Sequence, residues 1–225
     1  MTVMAPRRDA DAFSLRLRTA TRVQHEQAEE SGFMSALMGG DLSPGAYSAL
    51  AGQLWHVYSA LESAAATLRE HPVVGPFITD DLYRLPALET DLTHLLGSQW
   101  RDAVAPTPAT AAYAERIAMV AQTWPEGYIA HHYTRYLGDL SGGQILRRGL
   151  QRLYDVSDDG LRFFVFERIE KPKLFKDSYR DRLDQVAFMV DAAGQERVIE
   201  EARLAFELNT ALFASLGNRY LRAAS

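Results

Sequence analysis

No cysteine occurs in this chain. That excludes a disulfide framework, a thiolate nucleophile and a cysteine metal site, and it agrees with a reducing compartment, taken as the cytoplasm. There is no run of about eighteen apolar residues, so no segment reads as a membrane span or anchor. The opening Met1-Thr2-Val3-Met4-Ala5-Pro6-Arg7-Arg8 lacks the apolar core of a secretory signal. No Gly-Lys pair exists either. Leu140-Ser141-Gly142-Gly143-Gln144 spells the signature loop of the ABC-type ATPases, but that chemistry needs a GxxxxGK[ST] phosphate cradle elsewhere, so the match is a coincidence. Lysine is nearly absent: the only three, Lys171, Lys173 and Lys176, stand together, flanked by Arg168, Arg180 and Arg182. With a net charge of −5, general nucleic-acid binding is disfavoured, and this local cationic cluster reads as a site for a small anion or acidic partner, or as a solvated helix start.

What remains is helical. The chain has 225 residues, 47% of them hydrophobic and 24% charged, which suffices for one domain with a sizeable core. Repeats, low-complexity tracts and sustained strand-like alternation are missing. Ser43-Pro44 and Thr107-Pro108 read as an N-cap followed by proline at the first helical position. They open helices to about Arg69 and Trp124. Pro86 starts a shorter helix ended by Gly97, Pro125 a long one to about Tyr154, and Pro172 one to about Val190. A first helix falls between about Ser14 and Glu30. The last runs from about Gln195 to Leu216 and stops at Gly217-Asn218. The expected fold is all-α, a single compact multi-helix domain over residues 14–222 behind a disordered segment 1–13.

Three glycines interrupt the helix after Pro125, in Tyr133-Thr134-Arg135-Tyr136-Leu137-Gly138-Asp139-Leu140-Ser141-Gly142-Gly143-Gln144. Each costs about 0.8–1 kcal/mol against alanine in a helix interior. Gly138 and Gly142, and beside them Asp139 and Gly143, form adjacent rows of bare backbone against which something flat could lie. Close packing on another helix, or a helix end at Gly142-Gly143, would serve equally.

Among the histidines, His56 reads as a satisfied core residue, His71 as surface, and His131 and His132 as pointing in different directions. His25 differs. Arg18, His25 and Glu29 fall within roughly 40° on a helix turning about 100° per residue, so a carboxylate could orient the imidazole as it does for metal-bound histidines. A solvated i,i+4 pair has the same spacing. HExxH zinc chemistry fails because Glu29 stands where the second histidine belongs, and a di-iron carboxylate site fails because no Glu-x-x-His occurs. Phe175, Tyr179, Leu183, Val186 and Val190 form an apolar stripe with Lys176 and Arg180 beside it. Val198, Ala202, Phe206, Asn209, Phe213 and Leu216 form another, interrupted by Asn209, which must bond to a core carbonyl or another partner.

In these segments the chain resembles the biliverdin-producing heme oxygenase family, from about Ser14 to Leu216. The resemblance rests on Thr134 to Gln144, on His25 with Gln27-Ala28-Glu29, and on Lys176, Tyr179-Arg180 and Phe206-x-x-Asn209. It implies heme b between a proximal and a distal helix, as both substrate and prosthetic group, cleaved with O2 and external electrons to biliverdin (the α isomer), CO and ferrous iron. His25 is then the iron ligand, with Glu29 near its other nitrogen. Gly138, Gly142 and Gly143 lie over the distal face, where Asp139 orders water. Arg18, Tyr133, Lys176 and Arg180 meet the propionates, with Tyr179 also in the heme-binding set. Phe206, Asn209 and Phe213 line the distal side. Arg18 departs from the lysine usual in animal members, and their C-terminal membrane tail is missing, which suits a bacterial form. No dinucleotide-binding signature is present, so electrons would come from an acidic ferredoxin, flavodoxin or flavoprotein reductase docking near Arg147, Arg148 and Lys173. A heme carrier without turnover, and a helical interaction module without ligand, are the competing readings.

Overall fold

Proline in the first turn or a capping side chain marks where five of the helices begin. The computed structural model describes residues 12–221. Thr107 Oγ1 accepts from the Thr110 N–H and opens α7 (Pro108–Thr123), and Asp191 does the same for α11 (Ala192–Tyr220) through the Gly194 N–H. Pro125 starts α8 (Pro125–His132) and Pro172 starts α10 (Pro172–Val186). The others are α1 (Phe13–Ala20), α2 (Arg22–Glu29), α3 (Gly32–Gly39), α4 (Gly45–Leu68), α5 (Leu85–Leu96), α6 (Trp100–Ala103) and α9 (Gly138–Tyr154). Among the described residues there is no strand, and no helix is long and apolar enough to cross a membrane.

Helix α4 packs on α5 and α7, and α11 packs on α2, α3, α7 and α8, which gathers the chain round one apolar core. Both predicted stripes face inward: Tyr179, Leu183 and Val186 of α10 are buried, as are Val198, Ala202, Phe206, Asn209, Phe213 and Leu216 of α11. Burying a charge costs less when it is hydrogen-bonded, and two buried carboxylates staple loops accordingly. Asp91 accepts from the Arg162 and Phe163 N–H groups at 2.8 Å each, and Glu62 accepts from those of Arg84 and Leu85. Burial pushes Glu62 up to about 7 and Asp91 to about 6.

Several boundaries differ from the sequence expectation. Up to residue 11 the segment expected to be disordered lies outside the described residues, as does Arg222, but Phe13 is helical and buried. The first predicted helix is two, α1 and α2, because Thr21 at φ −100° and ψ 3° breaks the rod while its hydroxyl donates back to the Leu17 carbonyl. Helix α11 runs past Gly217 to Tyr220, so Gly217 is not a stop. A Cβ there would stand 3.7 Å from Phe33 Cβ and 3.2 Å from Leu221 Cδ1, so the glycine lets α3 approach α11. Gly97 does end α5, at φ +85°.

Candidate functional site

Between α1 and α2 on one side and the start of α9 on the other lies a cavity of about 870 Å³. That falls in the upper part of the range of roughly 300–1,000 Å³ usual for small-molecule sites. Arg18, His25 and Glu29 line it from the α1–α2 side; Tyr133, Thr134, Leu137, Gly138 and Ser141 line it from the other, with Arg180 and Phe206 at its edges.

The second wall owes its shape to a local change of helix. Residues Tyr133–Leu137 form a π-helical turn between α8 and α9, and the backbone passes through without interruption into Gly138. Such a widened turn shifts the register of the helix after it, and is frequent at functional sites. Here Tyr133, Thr134, Leu137 and Gly138 border the cavity while Arg135 is buried.

The glycines divide into two kinds. A Cβ on Gly138 or Gly142 would meet nothing within 4 Å, so protein packing does not require a glycine at either position. At Gly143 a Cβ would lie 3.3 Å from Phe164 Cδ1, so this glycine accommodates the core and does not face the cavity. Nor does the helix end at Gly142-Gly143, since α9 continues to Tyr154.

Asp139 turns from the cavity into a buried polar network. Its Oδ1 accepts from Arg135 Nη2 at 3.1 Å and its Oδ2 from the Tyr58 hydroxyl, while Arg135 Nη1 donates to Asn209 Oδ1 at 2.8 Å. Burial pushes the Asp139 carboxyl well above the usual carboxylate range. Asn209 therefore serves a guanidinium, not a core carbonyl. Tyr58 carried no signal in the sequence. Arg135 carried one, its i,i+4 spacing from Asp139, which the glycines beside it overshadowed.

On the other wall Glu29 Oε2 lies 3.3 Å from His25 Nδ1, which leaves Nε2 as the nitrogen available for a ligand. Phe206 meets the His25 ring edge-on, 5.5 Å between centroids, so it belongs to the His25 side and not to the distal wall. Arg180 holds Asp177 at 2.8 Å, and Lys176 donates to Ser141 at 3.2 Å, bringing α10 beside the glycine wall. Burial and the Arg180 charge lower the Lys176 ammonium from its ordinary value.

Of the expected site residues, Asp139, Gly142, Gly143, Lys176 and Asn209 are not among those lining the cavity, and neither are Tyr179 and Phe213. Tyr179 is fully buried and bonded to His132 Nδ1 at 2.8 Å, because the apolar stripe of α10 points it into the core. Phe213 is buried one turn beyond Asn209 and is not among the cavity's lining residues. His56 is satisfied as expected, within 3.2 Å of the Val104 carbonyl, but is half-buried and not in the core, and His131 and His132 diverge to Glu201 and Tyr179.

The donor set constrains the ligand. Among the described residues no three His, Cys, Asp or Glu side chains are grouped to hold a metal ion. One oriented imidazole in a wide cavity suits a metal that arrives with its other ligands, as in a porphyrin. Thr134 Oγ1, buried at the cavity wall without a partner, and open space over Gly138 and Gly142 fit a flat guest.

Comparison with known proteins agrees. Residues 11–215 match the family model for heme oxygenase. The chain is 39% identical to heme oxygenase 1 of a Synechocystis species over 92% of its own length and 85% of the relative's. It is 40% identical to human heme oxygenase 1, covering 89% and 70% respectively. The crystal structure of the Synechocystis heme oxygenase-1 in complex with heme superposes with a TM-score of 0.90 at 38% identity, covering 94% of this chain and 95% of that one.

Proposed function

The chain belongs to the heme oxygenase family, and from that premise we propose that the cavity between α2 and α9 is its heme site, with His25 as the iron ligand. The enzyme is a heme oxygenase for which heme is both substrate and cofactor. When bound, heme supplies an iron with an open position for O2 and the ring that is oxidised, yielding biliverdin, CO and ferrous iron. The observation that carries the assignment is Gly138 on the cavity wall across from an oriented imidazole, with open space over it and over Gly142 one turn on.

The residues divide the work. Glu29 fixes the tautomer and ring orientation of His25, and Phe206 packs on the same ring. Gly138 and Gly142 admit the ring plane and offer it backbone only, so no side chain on that wall acts as a strong base. Behind that wall Asp139, held by Arg135 and Tyr58, anchors the polar network from which water brings the proton. Arg18, Tyr133, Lys176 and Arg180 take the propionates, and their placement selects the α isomer. Electrons come from an acidic ferredoxin, flavodoxin or flavoprotein reductase in the cytoplasm. For its docking surface we take exposed Arg148 and Ile145 of α9 with Lys173 and Leu174 of α10. Arg147 contributes less, being paired with Asp158 at 2.6 Å.

Adding heme to the purified protein tests the reading. A shifted Soret band followed by biliverdin under reductant and air is expected. A stable complex under the same conditions would leave a carrier, and an unshifted band would remove the heme site.

A further inference from the structure

The wall that carries His25 is bent, and the bend is gripped from outside the cavity. Arg18 and His25 are seven residues apart, so in one straight helix they would lie nearly in one row, roughly 10 Å apart. Thr21 interrupts that helix. Its hydroxyl donates to the Leu17 carbonyl at 2.9 Å where α1 ends, and the His25 N–H donates to the Thr21 carbonyl at 3.0 Å where α2 begins. Helix α1 therefore aims Arg18 and α2 aims His25, and the angle at the break sets one against the other.

Such a break leaves carbonyls without their helical partners. In a continuous helix the Ala20 carbonyl would accept from the Gln24 N–H; here Arg203 Nε of α11 donates to it at 3.0 Å. Three residues on, Phe206 meets the His25 ring edge-on. Further back on α11, Gln195 accepts from Arg16 Nη1 at 2.9 Å, with Glu196 beside it. One long helix thus holds α1, the break and the imidazole. The grip on the break is the one that bears on the angle.

We propose that Arg203 is a positioning residue for the iron ligand: by holding the Ala20 carbonyl it fixes the bend between α1 and α2, and with it the direction of His25 relative to Arg18. The inference rests on His25 being that ligand. Glu29 sets the rotation of the ring, but it stands on α2 and moves with it, so it does not set where α2 points. A bond from another helix does. Arg203 is not among the residues lining the cavity, so it acts through the backbone and not on heme. Its Nη1 also donates to Glu200 at 2.5 Å, a second use from which the carbonyl bond has to be separated.

Arg203→Gln and Arg203→Met make that separation. Glutamine places an amide nitrogen where Nε stands and loses the pair with Glu200; methionine keeps the length and loses both. The measurement is the iron–histidine stretch of the ferrous heme complex by resonance Raman, together with the rate at which heme leaves. Arg203→Gln should match the parent protein. In Arg203→Met the band should shift and broaden, because the imidazole then tilts over a range of angles. Heme should leave it roughly tenfold faster, the size usual for losing a group that orients a metal ligand. A parent-like band in Arg203→Met, even with a lowered unfolding midpoint of the heme-free protein, would overturn the proposal, since the bond would then be structural only. An equal shift in both variants would overturn it too, by assigning the effect to the Glu200 pair. A stretch that persists in His25→Ala would instead remove the assignment of the iron ligand, and the positioning role with it.

Discussion

His25 and Glu29 on α2, and Arg135 and Asp139 where the π turn enters α9, are both pairs four residues apart, at 3.3 Å and 3.1 Å. Their surroundings differ. The side chains of the first pair are 46% and 67% exposed, those of the second 9% and 11%. In water such a pair contributes about 0–1 kcal/mol, and its use is to point an imidazole. Out of water, removing one partner strands the other's charge and costs roughly 3–5 kcal/mol. One wall of the cavity is thus adjustable and wet, the other fixed and built into the core. A site that must hold a metal ligand on one side and order water on the other has use for both.

The contrast breaks most sharply at Asp139. Asp139→Ala should destabilise the heme-free protein by roughly 3–5 kcal/mol, since Arg135 and the Tyr58 hydroxyl lose their shared acceptor. Glu29→Gln should stay within about 1 kcal/mol of the parent. Denaturant unfolding of both variants checks the difference; equal losses would mean that burial does not separate the pairs. Heme should still bind to Asp139→Ala, with little biliverdin formed, because proton delivery is no longer directed. Normal biliverdin yield would remove Asp139 from the chemistry.

A smaller effect sharpens the role of α10, which reaches the fixed wall through the Lys176–Ser141 bond. The Lys176→Ala, Arg180→Ala double variant should still degrade heme but yield mixed biliverdin isomers. A preference of only ~1.4 kcal/mol between two orientations of the ring already sets a tenfold ratio. Chromatography of the products decides; a single unchanged isomer would assign orientation to the apolar walls.

The smallest effect is the most particular to this wall. Gly142→Ala should stabilise the heme-free protein by up to about 1 kcal/mol, since helix propensity improves and the new methyl meets nothing. Heme affinity and turnover should fall in the same variant. Gly143→Ala should not gain as much, because Phe164 must give way. Gains in both stability and turnover for Gly142→Ala would show that the open space is not the substrate's.

Much of this architecture is legible in the residues alone. Prolines 108, 125 and 172 mark helix starts because proline at the first turn loses no hydrogen bond. Phe206 and Asn209 fall in the buried stripe of α11 by their spacing alone. What the pattern hides depends on tertiary contact. Thr21 looks like an ordinary helix residue until its hydroxyl is seen bonded back to Leu17. The π turn leaves no periodicity of its own within five residues. Tyr179 has the spacing of a site residue next to Arg180, yet one position along a helix is about 100° of rotation, enough to carry it from the cavity edge to the core.

The central claim, that His25 is the iron ligand on the adjustable wall, is tested most directly by resonance Raman spectroscopy of the ferrous heme complex. In the parent protein an iron–histidine stretch is expected. In His25→Ala heme should still bind, through apolar contact and its propionates, while the stretch disappears and turnover collapses. Added imidazole should restore both in part by filling the vacated space. An unchanged iron–histidine stretch in His25→Ala would contradict the account and place the iron on another histidine.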